Sequence, residues 1–227
     1  MPLKGEAFMI IWHDIRAESE RDYHLWHTRE HMPERLGVPG FLRGRRGVDW
    51  TRDKYRYLTL YEGEKLATFG SAPYLERLNN PTEWSLRVQP AFYNFVRSAC
   101  AITATAGRGV GGAMATLRVG LDGIGENVFC DLAPGLVDEL LVLEGACAVH
   151  AGVARSDVTG AKTREIELRG TQDIQTFDAV ILIDGVGRRE IEALMPAITR
   201  CLERHAIKVD PADTAVYDMA YCLEPAG

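Results

Sequence analysis

The predicted order of elements, β-α-β-β-α-β, occurs twice along the chain and restricts its fold more than any other feature. Short apolar or alternating runs predict the strands of the first copy at residues 8–15, 41–50, 55–61 and 95–103. Those of the second copy fall at 112–120, 146–155, 177–186 and 213–224. Helical segments lie at 18–36, 64–90, 127–144 and 187–207. Each copy therefore has the ferredoxin-like order of elements.

Two such copies in one chain predict an α+β fold, a tandem ferredoxin-like arrangement that forms an intrachain dimeric α+β barrel. The glycine-rich stretch AGRGVGG (106–112) suits a connection between the copies. We place the halves at residues 1–108 and 109–227. Each half should form a four-stranded antiparallel sheet, and the two sheets should be related by a pseudo-twofold axis and packed face to face.

Polar chemistry is concentrated in one of the two copies. The segments VPGFLRG and LEGACAV superpose with Gly40 on Gly145. His24, His27 and His31 then fall on apolar positions of the second copy. We expect the first half to carry the active site and the second, degenerate half to be mainly structural.

The first helix carries three of the six histidines of the chain. A regular helix turns by about 100° per residue. That rotation puts Leu25, Met32 and Leu36 on a stripe facing the core, and the histidines on its flank, where a cleft between helix and sheet would lie. Pro33 removes a backbone donor and clashes with the carbonyl group of Arg29, so a kink or helix end is expected near His31.

A histidine at the edge of a cleft can transfer protons near neutral pH. A neighbouring carboxylate, from Glu30 or Glu34, would orient its ring or raise its pKa. The alternative is a polar helix face without a catalytic role, and the pattern alone does not separate the two.

A metal site is a further alternative, because His27-Thr28-Arg29-Glu30-His31 matches the H-x-x-E-H string of the inverzincin metallopeptidases. Those enzymes also need a glutamate on a distant helix. We therefore expect no bound metal, although histidines four residues apart on a helix can hold one.

Composition excludes several classes of function. The net charge of −6 gives no general attraction for nucleic acid or anionic lipid. The five cysteines include no C-x-x-C pair, and no apolar run suits a signal peptide or membrane span. We expect a cytoplasmic protein whose partner is a small-molecule substrate, with neither nucleic acid nor membrane as partner, and a homodimer is left open.

The residues of the first half resemble a known family. Trp26, then His31-x-Pro33 on the first helix, and Pro-Gly-Phe at 39–41 leading into a strand, are similar to the EthD-like family of dimeric α+β barrel proteins. The resemblance implies a cleft between helices and sheet and no organic cofactor. It carries His31 over as the acting residue and Trp26 as a packing residue; His24 and His27 are departures from the usual pattern.

The resemblance also implies chemistry on small aromatic or polyketide-like molecules: decarboxylation, dehydration, isomerisation or quinone-forming oxygenation. We expect His31 to be the general acid or base, His27 second to it, and Glu30 or Glu34 to orient them. Aromatic rings and one cation are expected to bind the substrate: Tyr23, Trp26, Arg43, Trp12, Tyr74 and Trp84.

The leading hypothesis is a cofactor-free lyase or isomerase. A cofactor-free monooxygenase of an electron-rich phenol would use the same base. A third reading is a heme protein, since chlorite-dismutase-like barrels also consist of tandem ferredoxin-like halves; their histidine ligand lies in the second half, which here offers His150 and His205. The fourth is a non-catalytic small-molecule-binding or stress-response barrel.

Overall fold

The computed structural model describes residues 3–170 and 177–225. Its eight strands form one closed antiparallel barrel in the order β1-β3-β2-β8-β5-β7-β6-β4. The strands are β1 Ala7–Ile15, β2 Phe41–Val48, β3 Tyr57–Gly63, β4 Phe92–Gly107, β5 Ala113–Val119, β6 Ala146–Ala154, β7 Ala179–Gly185 and β8 Thr214–Leu223. The helices are α1 Glu20–Trp26, α2 Met32–Leu36, α3 Ala72–Asn79, α4 Glu83–Val88, α5 Glu126–Leu141, α6 Ser156–Thr159, α7 Arg164–Arg169 and α8 Arg188–Arg204.

Each half has the strand order of a ferredoxin-like sheet, β4-β1-β3-β2 in the first and β8-β5-β7-β6 in the second. The predicted α+β fold is therefore confirmed. The predicted intrachain α+β barrel is confirmed as well, and its two four-stranded sheets join at both edges, where β2 pairs with β8 and β4 with β6. Unpaired edge strands expose rows of backbone donors and acceptors, and closing the barrel within one chain satisfies them. A homodimer would therefore have to form through the outer surface.

The internal duplication is visible in the backbone. Gly40 and Gly145, superposed by sequence, both precede the second strand of their half and have φ values of +91° and +101°. A Cβ atom at Gly40 would come within 2.8 Å of the Thr68 side chain. A tight turn with positive φ requires glycine at both positions.

The barrel interior combines an apolar core with buried charge. The apolar part includes Phe8, Trp12 and Leu60 from the first half and Leu182 from the second. Beside it Arg45 lies 2.7 Å from Asp184 and 3.2 Å from Glu62. All three charged side chains are fully buried.

The acidic members of this network are equivalent under the duplication. Glu62 lies opposite Phe8 in the β1–β3 register, and Asp184 lies opposite Met114 in the β5–β7 register. Gly63 pairs with Ala7, and Gly185 pairs with Ala113. Each acid directly precedes its glycine, so the two acids hold the same position in their halves. The network therefore crosses the junction between the copies.

The helices cover the outside of the barrel, and the two halves differ in what they bury there. Under α5 and α8 the interface is a continuous apolar cluster that includes Phe129, Leu136 and Ile198. The first half instead buries His13, His27 and His31 beside its apolar residues. The polar side chains expected in the first half thus lie between its helices and its sheet.

Several predicted helices differ in extent from the structure. The segment 64–90 is divided into α3 and α4, and Pro81 lies between them. α6 and α7, between β6 and β7, were not predicted. No helix within residues 3–170 and 177–225 has both the length and the apolar character needed to cross a membrane.

Candidate active site

A π-helical turn, His27–His31, joins α1 to α2 and carries two of the three clustered histidines. It ends two residues before Pro33, which has no N–H to continue the regular pattern of hydrogen bonds. The irregularity expected near His31 is thus present as a widened turn. Such turns within α-helices occur often at functional sites.

The π turn changes which residues face the sheet. In a regular helix Leu25 would share a face with Met32, but here Leu25 is 36% exposed. Tyr23 and Trp26 are fully buried in its place. One extra residue in the turn shifts the buried stripe of α1 by one position, so the predicted core role of Leu25 is wrong and His27 and His31 point inward.

His31 lies against an aromatic wall. Its ring stacks on that of Trp26 with centroids 4.2 Å apart and planes 30° apart. Trp26 is itself fixed, because its Nε1 donates to Ser85 Oγ at 3.1 Å. Within the described residues no side chain or backbone group is hydrogen-bonded to either ring nitrogen of His31, and its Nδ1 is fully shielded. The described residues thus leave the hydrogen-bonding capacity of this imidazole unused.

Two further histidines lie close to it. The ring of His27 is 5.5 Å from that of His31, and its Nε2 lies 3.3 Å from Thr59 Oγ1. His13, on β1, stacks on Phe92 at 4.7 Å, and its Nε2 lies 3.0 Å from the hydroxyl group of Tyr23. In both rings Nε2 is engaged, and Nδ1 is buried without a hydrogen-bond partner among the described residues.

The environment favours the neutral form of these rings. Burial is the main cause that lowers the pKa of His13, His27 and His31 well below the usual value. Neighbouring positive charges lower the pKa further, chiefly Arg35 for His31 and Arg46 for His27. A neutral imidazole at neutral pH can accept a proton, so the site is suited to general-base chemistry.

The same pKa shifts predict acid sensitivity. As pH falls below about 6.5 the unfolded chain binds protons that the folded protein does not, so stability is lost as pH falls towards the lowered folded-state pKa. We expect the free energy of unfolding to fall by up to about 1.4 kcal/mol per pH unit for each buried histidine. Urea unfolding at pH 7.5, 6.5 and 5.5 measures this slope. It should be smaller in His27→Gln than in the parent, and an identical slope would contradict the assignment.

The two glutamates expected to orient the histidines are engaged elsewhere. Glu30 accepts a hydrogen bond from Thr82 Oγ1 at 2.5 Å. Glu34 lies 3.4 Å from Arg35, and burial raises its pKa. Neither carboxylate is hydrogen-bonded to a histidine in the described residues. The histidines are instead held by hydroxyl groups and by ring stacking.

A helix of the second half reaches this site. Glu165 on α7 forms a buried ion pair with Arg35 and accepts from Arg169 at 3.1 Å. Arg169 also donates from Nε to Gln89 Oε1 at 2.7 Å, and its guanidinium lies 4.2 Å from the centroid of Phe95. The second half therefore contributes charged residues to the surroundings of the histidines.

The predicted substrate-binding residues divide between the two faces of the sheet. Tyr23 and Trp26 contact the histidines. Trp84 donates to Asp22 at the outer side of α1, and Tyr74 lies farther along the same face, beside Arg35.

The other two residues of that set lie inside the barrel. Trp12 donates to Thr116 Oγ1 at 3.2 Å, and Arg43 pairs with Glu62 at 2.8 Å. The sheet separates both residues from the histidines, so the structure does not bring them to the candidate site.

The structure brings residues to the site that sequence reasoning missed. Arg35 follows His31 by four residues, so H-x₃-H-x₃-R is a helical signal that was available. Strand alternation alone places the side chain of His13 on the face of the sheet opposite that of Trp12. Glu165 and Arg169 had no local signal, because their helix was not predicted.

Side chains suited to a metal ion converge elsewhere. Among the described residues one group brings three potential ligand atoms together: Glu139, Cys201 and His205, between α5 and α8. The carboxylate of Glu139 is already paired with Arg204 and lies 2.8 Å from His205 Nε2. The three histidines of the first helix do not form such a group.

A histidine-ligated heme in the second half does not fit the described residues. His150 is buried inside the barrel, with Nδ1 2.7 Å from Thr105 Oγ1. His205 lies at the end of α8 and is bound to Glu139. The space between helices and sheet in that half is filled by the apolar cluster around Phe129 and Leu136.

Comparison with known proteins supports the fold. No protein-family model and no curated protein matches the sequence. Among solved structures, an anthrone oxidase-like protein aligns with a TM-score of 0.61 and 11% identity over 99% of this chain and 94% of its own. A putative monooxygenase from Fusobacterium nucleatum aligns with a TM-score of 0.57 and 10% identity over 99% and 97%.

Chlorite dismutase from Candidatus Nitrospira defluvii, in complex with imidazole, aligns with a TM-score of 0.56 and 8% identity over 96% of this chain and 92% of its own. These likenesses support the predicted α+β barrel fold. At such low identity the likeness concerns the fold. The predicted relation to the EthD-like family in particular stays a prediction.

Proposed function

We propose that this protein is an enzyme in which the neutral imidazole of His31 removes a proton from a small aromatic or polyketide-like substrate. The observation that carries the proposal is a buried histidine with a lowered pKa and no hydrogen-bond partner among the described residues, stacked on a tryptophan. Buried imidazoles in a purely structural role are normally hydrogen-bonded.

The surroundings of His31 support each part of this role. Trp26 fixes the plane of the imidazole and offers apolar surface for an aromatic substrate. His27, whose ring lies 5.5 Å away, is placed to take up or return a second proton. Glu30 acts indirectly: it accepts from Thr82, which in turn contacts the Ser85 hydroxyl that holds Trp26.

Proton removal alone suffices for lyase or isomerase chemistry. The carbanion left on the substrate either expels a neighbouring group or takes a proton back at another carbon atom. Each course needs one base and one acid, and no organic cofactor. Two adjacent histidines satisfy that requirement.

A cofactor-free monooxygenase is the second candidate, and the names of the structural neighbours favour it. Neighbours that cover 99% and 96% of the chain bear the descriptions anthrone oxidase-like protein and putative monooxygenase. In such a reaction the deprotonated substrate transfers electrons to dioxygen. One oxygen atom becomes a carbonyl oxygen, and the other leaves as water with two hydrogens lost from the substrate: both from carbon in an anthrone, and one each from carbon and hydroxyl in a phenol.

One experiment separates the candidates. The purified protein is incubated with a panel of anthrones, naphthols and hydroxylated aromatic acids, with and without dioxygen. We expect product by chromatography from at least one panel member. Product formed without dioxygen supports the lyase or isomerase, whereas stoichiometric oxygen uptake supports the monooxygenase. Ligand-induced thermal stabilisation without product would overturn catalysis in favour of a binding barrel.

A further inference from the structure

Arg46, on β2, carries a buried positive charge without a carboxylate. Its side chain is 8% exposed, and its Nε and Nη1 are shielded without a hydrogen-bond partner among the described residues. No acidic oxygen in the described residues lies within 4.0 Å of its guanidinium. An uncompensated buried charge is costly, so a protein normally retains one only where something binds it.

The other buried arginines of the same strand show the usual arrangement. Arg43 pairs with Glu62 at 2.8 Å, and Arg45 pairs with Asp184 at 2.7 Å. Both lie inside the barrel. Arg46 points to the opposite face, towards the helices, and differs from its neighbours in having no acidic partner there.

The surroundings of Arg46 connect it to the histidine site. Its Nη2 donates to His24 Nδ1 at 3.1 Å, and the guanidinium lies 5.7 Å from the ring centroid of Tyr23. In the strand register it is opposite Thr59, whose hydroxyl lies 3.3 Å from His27 Nε2. A group bound to Arg46 would therefore lie beside the histidines.

Arg46 is connected through His24 to a residue at the surface. His24 is half-buried, and its ring centroid is 6.1 Å from that of Trp50. Trp50 is 57% exposed. The contacts of His24 therefore link Arg46 to an exposed aromatic ring on the helix side of the sheet.

We propose that Arg46 binds the anionic group, a carboxylate or phenolate, of an aromatic substrate and thereby places its ring beside His27 and His31. This inference rests on the proposed function and narrows its substrate class to aromatic anions. Nε and Nη1 of the guanidinium are unengaged, so either can donate a charge-assisted hydrogen bond to an anionic oxygen, and hydrogen bonds of that kind are the stronger ones.

Binding of a matched pair of probes tests the proposal. 2-Naphthoate and 2-naphthamide have the same rings and differ in charge. By calorimetry at pH 7.5 we expect the Kd of the parent for naphthoate to be at least about tenfold lower than for naphthamide. Arg46→Gln should raise the Kd for naphthoate by about 10- to 100-fold and leave that for naphthamide within about twofold. Arg46→Lys should restore part of the preference.

Stability without ligand separates binding from a structural role. Because Arg46→Gln removes a buried charge that has no carboxylate partner, we expect its Tm to equal or exceed that of the parent. Arg21→Gln, which removes an exposed arginine on α1, should change neither Kd nor Tm. An Arg46→Gln protein that loses several degrees in Tm while keeping its preference for naphthoate would overturn the proposal. Absence of naphthoate binding to the parent would overturn it as well.

Calorimetry needs no turnover, so the two proposals fail separately. Binding through Arg46 without conversion of any panel member would leave the anion site intact and refute the enzyme. Turnover that depends on His31 together with equal affinity for both probes would refute the anion site alone.

Discussion

Replacing His31 with glutamine is expected to lower turnover by about 10²- to 10⁴-fold, the range typical for loss of a general acid or base. The ring stacks on Trp26, and its nitrogen atoms have no partner in the described part of the protein. Glutamine keeps a polar planar group of similar size but cannot act as a base. Turnover is measured on a panel member that the parent protein converts, and circular dichroism verifies that the fold persists.

Three further histidine variants provide comparisons for the turnover of His31→Gln. His27→Gln should cost less, because its Nε2 is held by Thr59 and its role is secondary. His24→Gln should act mainly on KM, since His24 contacts Arg46. His205→Gln, a histidine outside the cluster at the end of α8, should leave turnover unchanged.

The pH dependence gives an independent check on the same residue. An ordinary imidazole as the base would make activity fall as pH drops through about 6.5. Burial, however, lowers the pKa of His31 well below 6.5. Activity should therefore stay constant down through pH 6.5 and fall only as pH drops through the lowered pKa, where the base becomes protonated. If His31→Gln kept near-full activity while His27→Gln abolished it, the assignment within the cluster would be wrong and the site would remain.

Some features of this site were predictable because nearby residues in the sequence determine them. Pro33 lacks a backbone donor, and the resulting irregularity can only fall on the residues just before it. Gly40 and Gly145 were recognisable as equivalent because a turn with positive φ selects glycine in both copies. The sequence thus located the histidine segment and the duplication together.

The choice between Arg43 and Arg46 was not predictable from alternation, because β2 contains a bulge. Phe41 and Gly44 contact residues on the helix side, Phe69 and Met32 respectively. Strict alternation would put Arg43 with Phe41, but the register shifts between these two residues. One extra residue in a strand moves every following side chain to the opposite face of the sheet. Arg43, the arginine expected to bind the substrate, therefore points into the barrel.

Long-range pairing was the other missing information. Nothing near Glu165 in sequence indicates that its carboxylate meets Arg35, which is 130 residues away. In the same way, the pairing of β2 with β8 brings strands from different halves side by side. Contacts of this kind depend on how the two copies close on each other, and a pattern read along one copy does not contain them.

The closed barrel leads to the second large expected effect. Replacing Asp184 with alanine is expected to lower the free energy of unfolding by about 3–5 kcal/mol, since it leaves the charge of Arg45 buried with one partner fewer. Asp184 also accepts from the backbone N–H of Gly111 at 3.3 Å. Urea unfolding measures the loss. Asp138→Ala, an exposed aspartate on α5, is the matched control and should not destabilise the protein.

A double variant tests whether the loss arises from the unpaired charge rather than from the smaller side chain. Arg45→Met combined with Asp184→Leu removes both charges and refills the space with apolar groups. Glu62 keeps its contacts with Arg43 at 2.8 Å, so no acidic group is left alone. Because burying two charges costs desolvation that their attraction only partly offsets, the double variant should recover most of the stability lost in Asp184→Ala. If it were as unstable as the single variant, the buried ion pair itself would be a net stabilising link between the two halves.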